Sequence, residues 1–107
     1  MMKEQFQKDL LDEARSEINE VDAEMAKLFV RRMRAVEKVA EYKYAHGLPV
    51  LDAAREEAVV TQNAKLVDDE AIRAYYVKFI QNNMALSRAY QLQLLSATRE
   101  ETQKTDA

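Results

Sequence analysis

Residues Gln5–His46 read QFQKDLLDEARSEINEVDAEMAKLFVRRMRAVEKVAEYKYAH, and Gly47-Leu48-Pro49 follows at once. Nothing in those 42 positions breaks a helix. Apolar residues recur at Leu11, Ala14, Ile18, Val21, Met25, Leu28, Phe29, Met33, Val36, Val39 and Ala40. Steps of three and four place them on one stripe of an α-helix. Gly47 stands where a helix takes a left-handed residue to stop, and Pro49 blocks continuation. The stretch therefore predicts one very long helix from about Gln5 to His46.

Working outward, Asp52 is a good N-cap for a second helix reaching about Leu66. Asp68-Asp69-Glu70 then opens a third, with acidic residues at the positive end of its dipole. That helix carries Ile72, Tyr76, Phe79, Ile80, Leu86, Tyr90 and Leu94, and fades toward the polar tail Glu100–Ala107. The 107 residues suffice for one domain, and they hold one Gly and one Pro where average usage supplies about seven and five. A β-sandwich or barrel needs far more turn residues. The expectation is all-α: three helices per chain, one domain over 1–107, its core at about 10–95 and its ends 1–5 and 100–107 frayed.

Length alone sets a geometric problem. About 40 helical residues make a rod of roughly 60 Å, whereas a compact chain of this size has a diameter of about 30–35 Å. Much of the apolar stripe would lack cover from its own chain. An intertwined homodimer is the simplest remedy.

Composition removes several function classes. Sixteen Lys+Arg against nineteen Asp+Glu give a net charge of −3, unlike the basic excess of general nucleic-acid binders. There is no Cys and a single His, His46, which excludes disulfides, thiolate nucleophiles and Cys- or His-rich metal sites. The start, MMKEQFQKD, lacks the apolar core of a signal peptide, and no stretch approaches the ~18 apolar residues of a membrane span. The expected setting is cytoplasmic, with no metal, cofactor, nucleic acid or membrane.

The informative residues are cations and amides on faces where the helix pattern expects an interior. Arg32 and Lys43, eleven residues apart, point within about 20° of each other and roughly 16 Å apart along the axis. Arg15 lies seventeen residues before Arg32, about 25 Å away and about 100° around. It cannot meet them on one straight helix, but the Arg15 of a second copy could. On the third helix Ser87 and Gln91 form an i,i+4 pair that continues a polar line from Asn83. Each has a plainer reading. Cations snorkel or pair with a Glu one turn away, Asp52 is an N-cap, and Arg55-Glu56-Glu57 is a solvated first turn. Ser87 bonds back to its own helix, Gln91 faces water, and His46 ends a helix.

Taken in order, the residues become recognisable. Ala14-Arg15-Ser16-Glu17-Ile18-Asn19-Glu20-Val21-Asp22 is followed by Arg31-Arg32-Met33 and by Val39-Ala40-Glu41-Tyr42-Lys43. Then come Gly47-Leu48-Pro49-Val50-Leu51-Asp52-Ala53-Ala54-Arg55-Glu56-Glu57 and Ser87-Arg88-Ala89-Tyr90-Gln91. From about Leu10 to Leu95 the chain resembles the all-helical chorismate mutase family. R-x-x-I-x-x-x-D alone is weak, but five blocks in order at compatible spacing are specific.

That resemblance implies two intertwined chains of three helices with an active site at each end, shared between chains. It implies rearrangement of chorismate to prephenate, the step toward phenylalanine and tyrosine. By the same matching, Arg15 of the partner subunit, Arg32 and Lys43 correspond to the cationic clamps on the substrate. Asp52, Arg55 and Glu56 match the second-helix positions, where the Glu takes the ring hydroxyl. Ser87 and Gln91 match the third-helix pair, with Gln91 reaching the ether oxygen. The chemistry suits these residue types. A concerted [3,3] rearrangement within one molecule needs no nucleophile, base or metal. It needs the dicarboxylate held in its compact conformer, which arginine forks do well. It also needs donors for the charge that grows on the ether oxygen.

Some positions depart from the commonest pattern: Arg31 stands before Arg32, Ala53 replaces a frequent Pro, and Asn82-Asn83-Met84 is unusually polar. Two other readings remain. An isochorismate pyruvate-lyase shares the fold and the Arg/Lys/Gln cluster, but the full Gly-Leu-Pro-Val-Leu turn with Asp52, Arg55 and Glu56 favours the mutase. A non-catalytic helical dimer fits the composition, but does not require Arg15, Arg32, Lys43, Glu56, Ser87 and Gln91 together. Feedback control by aromatic amino acids would need a partner protein, such as another shikimate-pathway enzyme.

Overall fold

The computed structural model describes residues 2–106, with side chains for residues 3–101. It contains three helices, α1 Met2–Ala45, α2 Ala53–Ala64 and α3 Glu70–Asp106, and no strand among the described residues. The all-α class, the three-helix order and the long first and last helices agree with the sequence pattern. The polar ends differ in detail, because α1 begins at Met2 and α3 runs to Asp106. Those ends are rich in Lys, Glu and Gln, which favour helix. No helix among the described residues is long and apolar enough to cross a membrane. The chain divides into two compact units, residues 1–34 and 35–107.

The first unit is a single helical stretch. Every residue from 3 to 31 is exposed, including Phe6, Leu10, Leu11, Ile18, Val21, Met25, Leu28, Phe29 and Val30. Its side-chain contacts include two weak surface ones, Lys27 to Glu24 at 3.3 Å and Gln5 to Asp9 at 3.4 Å. Exposed pairs of that kind contribute less than about 1 kcal/mol each. Each large aliphatic left in water forgoes about 1.5–3 kcal/mol of burial.

The second unit holds the core. The end of α1 supplies Val36 and Ala40, and α3 supplies Ile80 and Met84, with Ser87 and Gln91 buried on the same α3 face. α1 stops by a two-bond lock. The Leu48 N–H donates to Lys43 O at 2.8 Å, and the Gly47 N–H to Tyr44 O at 3.3 Å. Gly47 takes φ +65°, the left-handed conformation this motif requires. His46 packs flat on Tyr42 with ring centroids 4.0 Å apart, and its Nδ1 lies 2.9 Å from Tyr42 O. It is a helix-end residue.

α2 has no fully buried residue, though Val59, Val60 and Ala64 are half-buried, and two polar contacts join it to α3. Tyr76 Oη donates a long bond, 3.5 Å, to Asn63 Oδ1, and Arg88 pairs with Glu56. The α2–α3 turn is held by Arg73, which donates to Val67 O at 2.7 Å and Asp68 O at 2.9 Å. Asp69 caps α3 by accepting from the N–H groups of Ala71 and Ile72, at 3.0 and 3.2 Å.

Candidate active site

Of the eight residues singled out in the sequence, Arg15 and Arg32 fall in the first unit and the other six in the second. Arg15 is exposed and Arg32 half-buried. α1 is continuous through both, so their seventeen-residue spacing puts them about 25 Å apart along its axis. They are too far apart to grip one small molecule within a single chain.

In the second unit the residues fall into three groups. Lys43, half-buried in the last turn of α1, donates from Nζ to Val50 O at 2.6 Å. The helix end thereby holds the loop that leads into α2. An ammonium has three donors, so this contact uses one of them. Asp52 performs the structural task expected of it, accepting from the Arg55 N–H at 3.0 Å as the α2 N-cap. Asp52 and Arg55 are exposed, and Glu56, one residue further, is half-buried.

The third group is the turn of α3 from Ser87 to Gln91. Ser87 donates from Oγ to Asn83 O at 2.9 Å, the back-bond anticipated for it, yet it is only 5% exposed. Gln91 does not face water as its plainer reading would have it. It is 6% exposed, and its Oε1 has no hydrogen-bond partner among the described residues. An unpaired buried amide oxygen costs about 1–3 kcal/mol, so it signals a group kept for something besides stability. The two ends of a glutamine amide exchange by a flip, so this position can offer either acceptor or donor to an incoming polar atom. Asn83 Oδ1, two turns earlier, is buried and unpartnered as well. The departure noted at Asn83 thus puts a second unsatisfied amide on this helix.

Sequence reasoning gave no role to Arg88. Its guanidinium Nη1 donates to Glu56 Oε1, joining α3 to α2 across 32 residues. Helical side chains lean toward their own N-terminus, so Arg88 covers the turn before it, at the level where α2 presents Glu56. Two helices joined by a tight turn, with Glu on one and Arg on the other, were the available signal. The sequence does not show their relative rotation.

The second unit thus offers cations, a carboxylate and amide donors, a set suited to gripping and polarising an anionic molecule. Among the described residues no group of three or more His, Asp or Glu is arranged to hold a metal ion.

Residues 14–92 match the family model described as chorismate mutase type II, a span that contains all eight candidate residues. The T-protein of Haemophilus influenzae is 40% identical to this chain over 50 residues, which is 47% of this chain and 13% of that protein. The chain therefore spans a small part of the length of that curated relative. No solved structure gives a significant match.

Proposed function

The chain belongs to the type II chorismate mutase family, and on that premise we propose that it isomerises chorismate to prephenate. The observation that carries the reading furthest is the α3 turn with Ser87 and Gln91 buried and the Gln91 amide oxygen unsatisfied. Such a turn suits a ligand that supplies the missing partner.

In the reaction the ether C–O bond of the enolpyruvyl group breaks while a C–C bond forms between its methylene and the ring. Substrate and product are isomers, and no proton or electron need be exchanged with the protein. Arg32 and the partner's Arg15 clamp carboxylates through permanently charged forks. Lys43 keeps two N–H donors beyond the one given to Val50 O. It holds a carboxylate and, with Gln91, meets the negative charge growing on the ether oxygen. Glu56 accepts the ring hydroxyl, and Asp52, Arg55 and Ser87 complete the grip. Catalysis is then the sum of orientation and preorganised electrostatics.

The reading includes a homodimer in which α1 of each copy lends Arg15 to the other's site. Two features support it: the uncovered apolar stripe of residues 6–30 and the 25 Å between Arg15 and Arg32 on one helix. A role in phenylalanine and tyrosine synthesis follows from the product. Lys43→Ala tests the assignment, since a scaffold protein keeps its fold and partners without this ammonium and a mutase loses turnover. Unchanged turnover in that variant discards the role given to Lys43.

A further inference from the structure

Arg88 has no part in the clamping scheme, yet it bonds to Glu56 from the same turn of α3 that carries Ser87 and Gln91. Arg88 directly follows Ser87 and stands three residues before Gln91. A guanidinium anchored there ties Glu56 to the helix that carries both. Neither partner is a free surface charge, because the Glu56 and Arg88 side chains are 25% and 34% exposed. The bond is made through Glu56 Oε1, and no other described residue bonds to Oε2. α2 has no fully buried residue, and the bond from Arg88 is a direct side-chain hold on the carboxylate from α3.

We propose that Arg88 is a positioning residue. By holding Glu56 Oε1 it presents Oε2 as a fixed acceptor, and so sets the preference for a substrate that carries a ring hydroxyl. The inference rests on the mutase reading, because it is Glu56 that takes that hydroxyl. A bare glutamate samples many rotamers and must be ordered each time substrate binds. One held by an arginine is already aimed. Arginine suits the task better than lysine because its planar fork fixes direction as well as charge.

The test compares kcat and KM of the full-length wild type, Arg88→Met, Arg88→Lys and Glu56→Gln, with chorismate and with an analogue lacking the ring hydroxyl. Wild type is expected to prefer chorismate. Arg88→Met should lower kcat/KM for chorismate about 10–100-fold and barely change it for the analogue, so the preference collapses. Arg88→Lys should restore part of it, and in a Glu56→Gln background Arg88→Met should change the preference no further. An equal fall for both substrates, or no fall, overturns the proposal, since a merely structural arginine affects the two alike. If circular dichroism shows Arg88→Met unfolded, Arg88→Lys is read in its place, and an unchanged preference there overturns the proposal equally. Wild type without turnover on chorismate removes the mutase reading and this inference together. Wild-type turnover with an unchanged preference in the variants removes only the role of Arg88.

Discussion

Lys43 donates to Val50 O at 2.6 Å and retains two further N–H groups for a ligand. Its replacement therefore separates fold from function. Lys43→Ala should lower kcat about 10²–10³-fold, the usual loss when one transition-state donor goes. It should cost only about 1 kcal/mol of stability for one hydrogen bond. Steady-state kinetics and a thermal melt check both halves. Gln91 gives a second prediction. An amide does not titrate, so the wild-type rate should be flat through neutral pH, and a steep loss above neutrality would contradict its role. A glutamate at this 6%-exposed position is held neutral by burial and donates a hydrogen bond only while protonated. Gln91→Glu should therefore work at low pH and lose activity as pH rises and the carboxyl ionises. Legibility at this scale was uneven. The caps and the Ser87 back-bond follow from local chemistry, so the sequence displays them. The burial of Gln91 and the reach of Arg88 to Glu56 depend on how helices rotate against one another, which no local pattern encodes.

Helix ends were the most legible elements, because one or two residues decide them. Gly47 at φ +65° ends α1 as its sequence predicts, and a Cβ added there would meet nothing within 4 Å. The cost of Gly47→Ala is then torsional alone, about 1–2 kcal/mol, and should lower Tm by several degrees. An unchanged Tm would mean that the turn has a cheaper alternative. Asp69 accepts from two N–H groups of α3, so Asp69→Ala should cost about 0.5–2 kcal/mol, with activity kept once the protein is folded. α2 was harder to read. It ends at Ala64, two residues short of the expected Leu66, because Leu66 and Val67 close a turn on Asn63 O and Ala64 O. It has no fully buried residue, and Asn63 and Glu56 bond across to α3.

For the whole molecule, the long α1 stripe carries the argument. Residues 3–31 are exposed throughout, and in the proposed dimer a second copy would cover this row of Leu, Ile, Val and Phe. Ile18, 56% exposed, lies in the middle of that row. Ile18→Asp should yield monomers by sedimentation and, by withdrawing the partner's Arg15, abolish most turnover. Monomeric wild type with full activity would contradict the shared site. Helix length is what raises the proposal of a second chain, whereas the way two chains would bring Arg15 to Arg32 is not legible in it, because sequence spacing speaks only along one helix. The decisive measurement is chemical. Purified protein is incubated with chorismate, and the products are separated and identified. Prephenate formed far faster than in buffer is the result expected of this family member. Chorismate left intact contradicts the proposed reaction, and more sharply so if isochorismate is instead converted to salicylate and pyruvate.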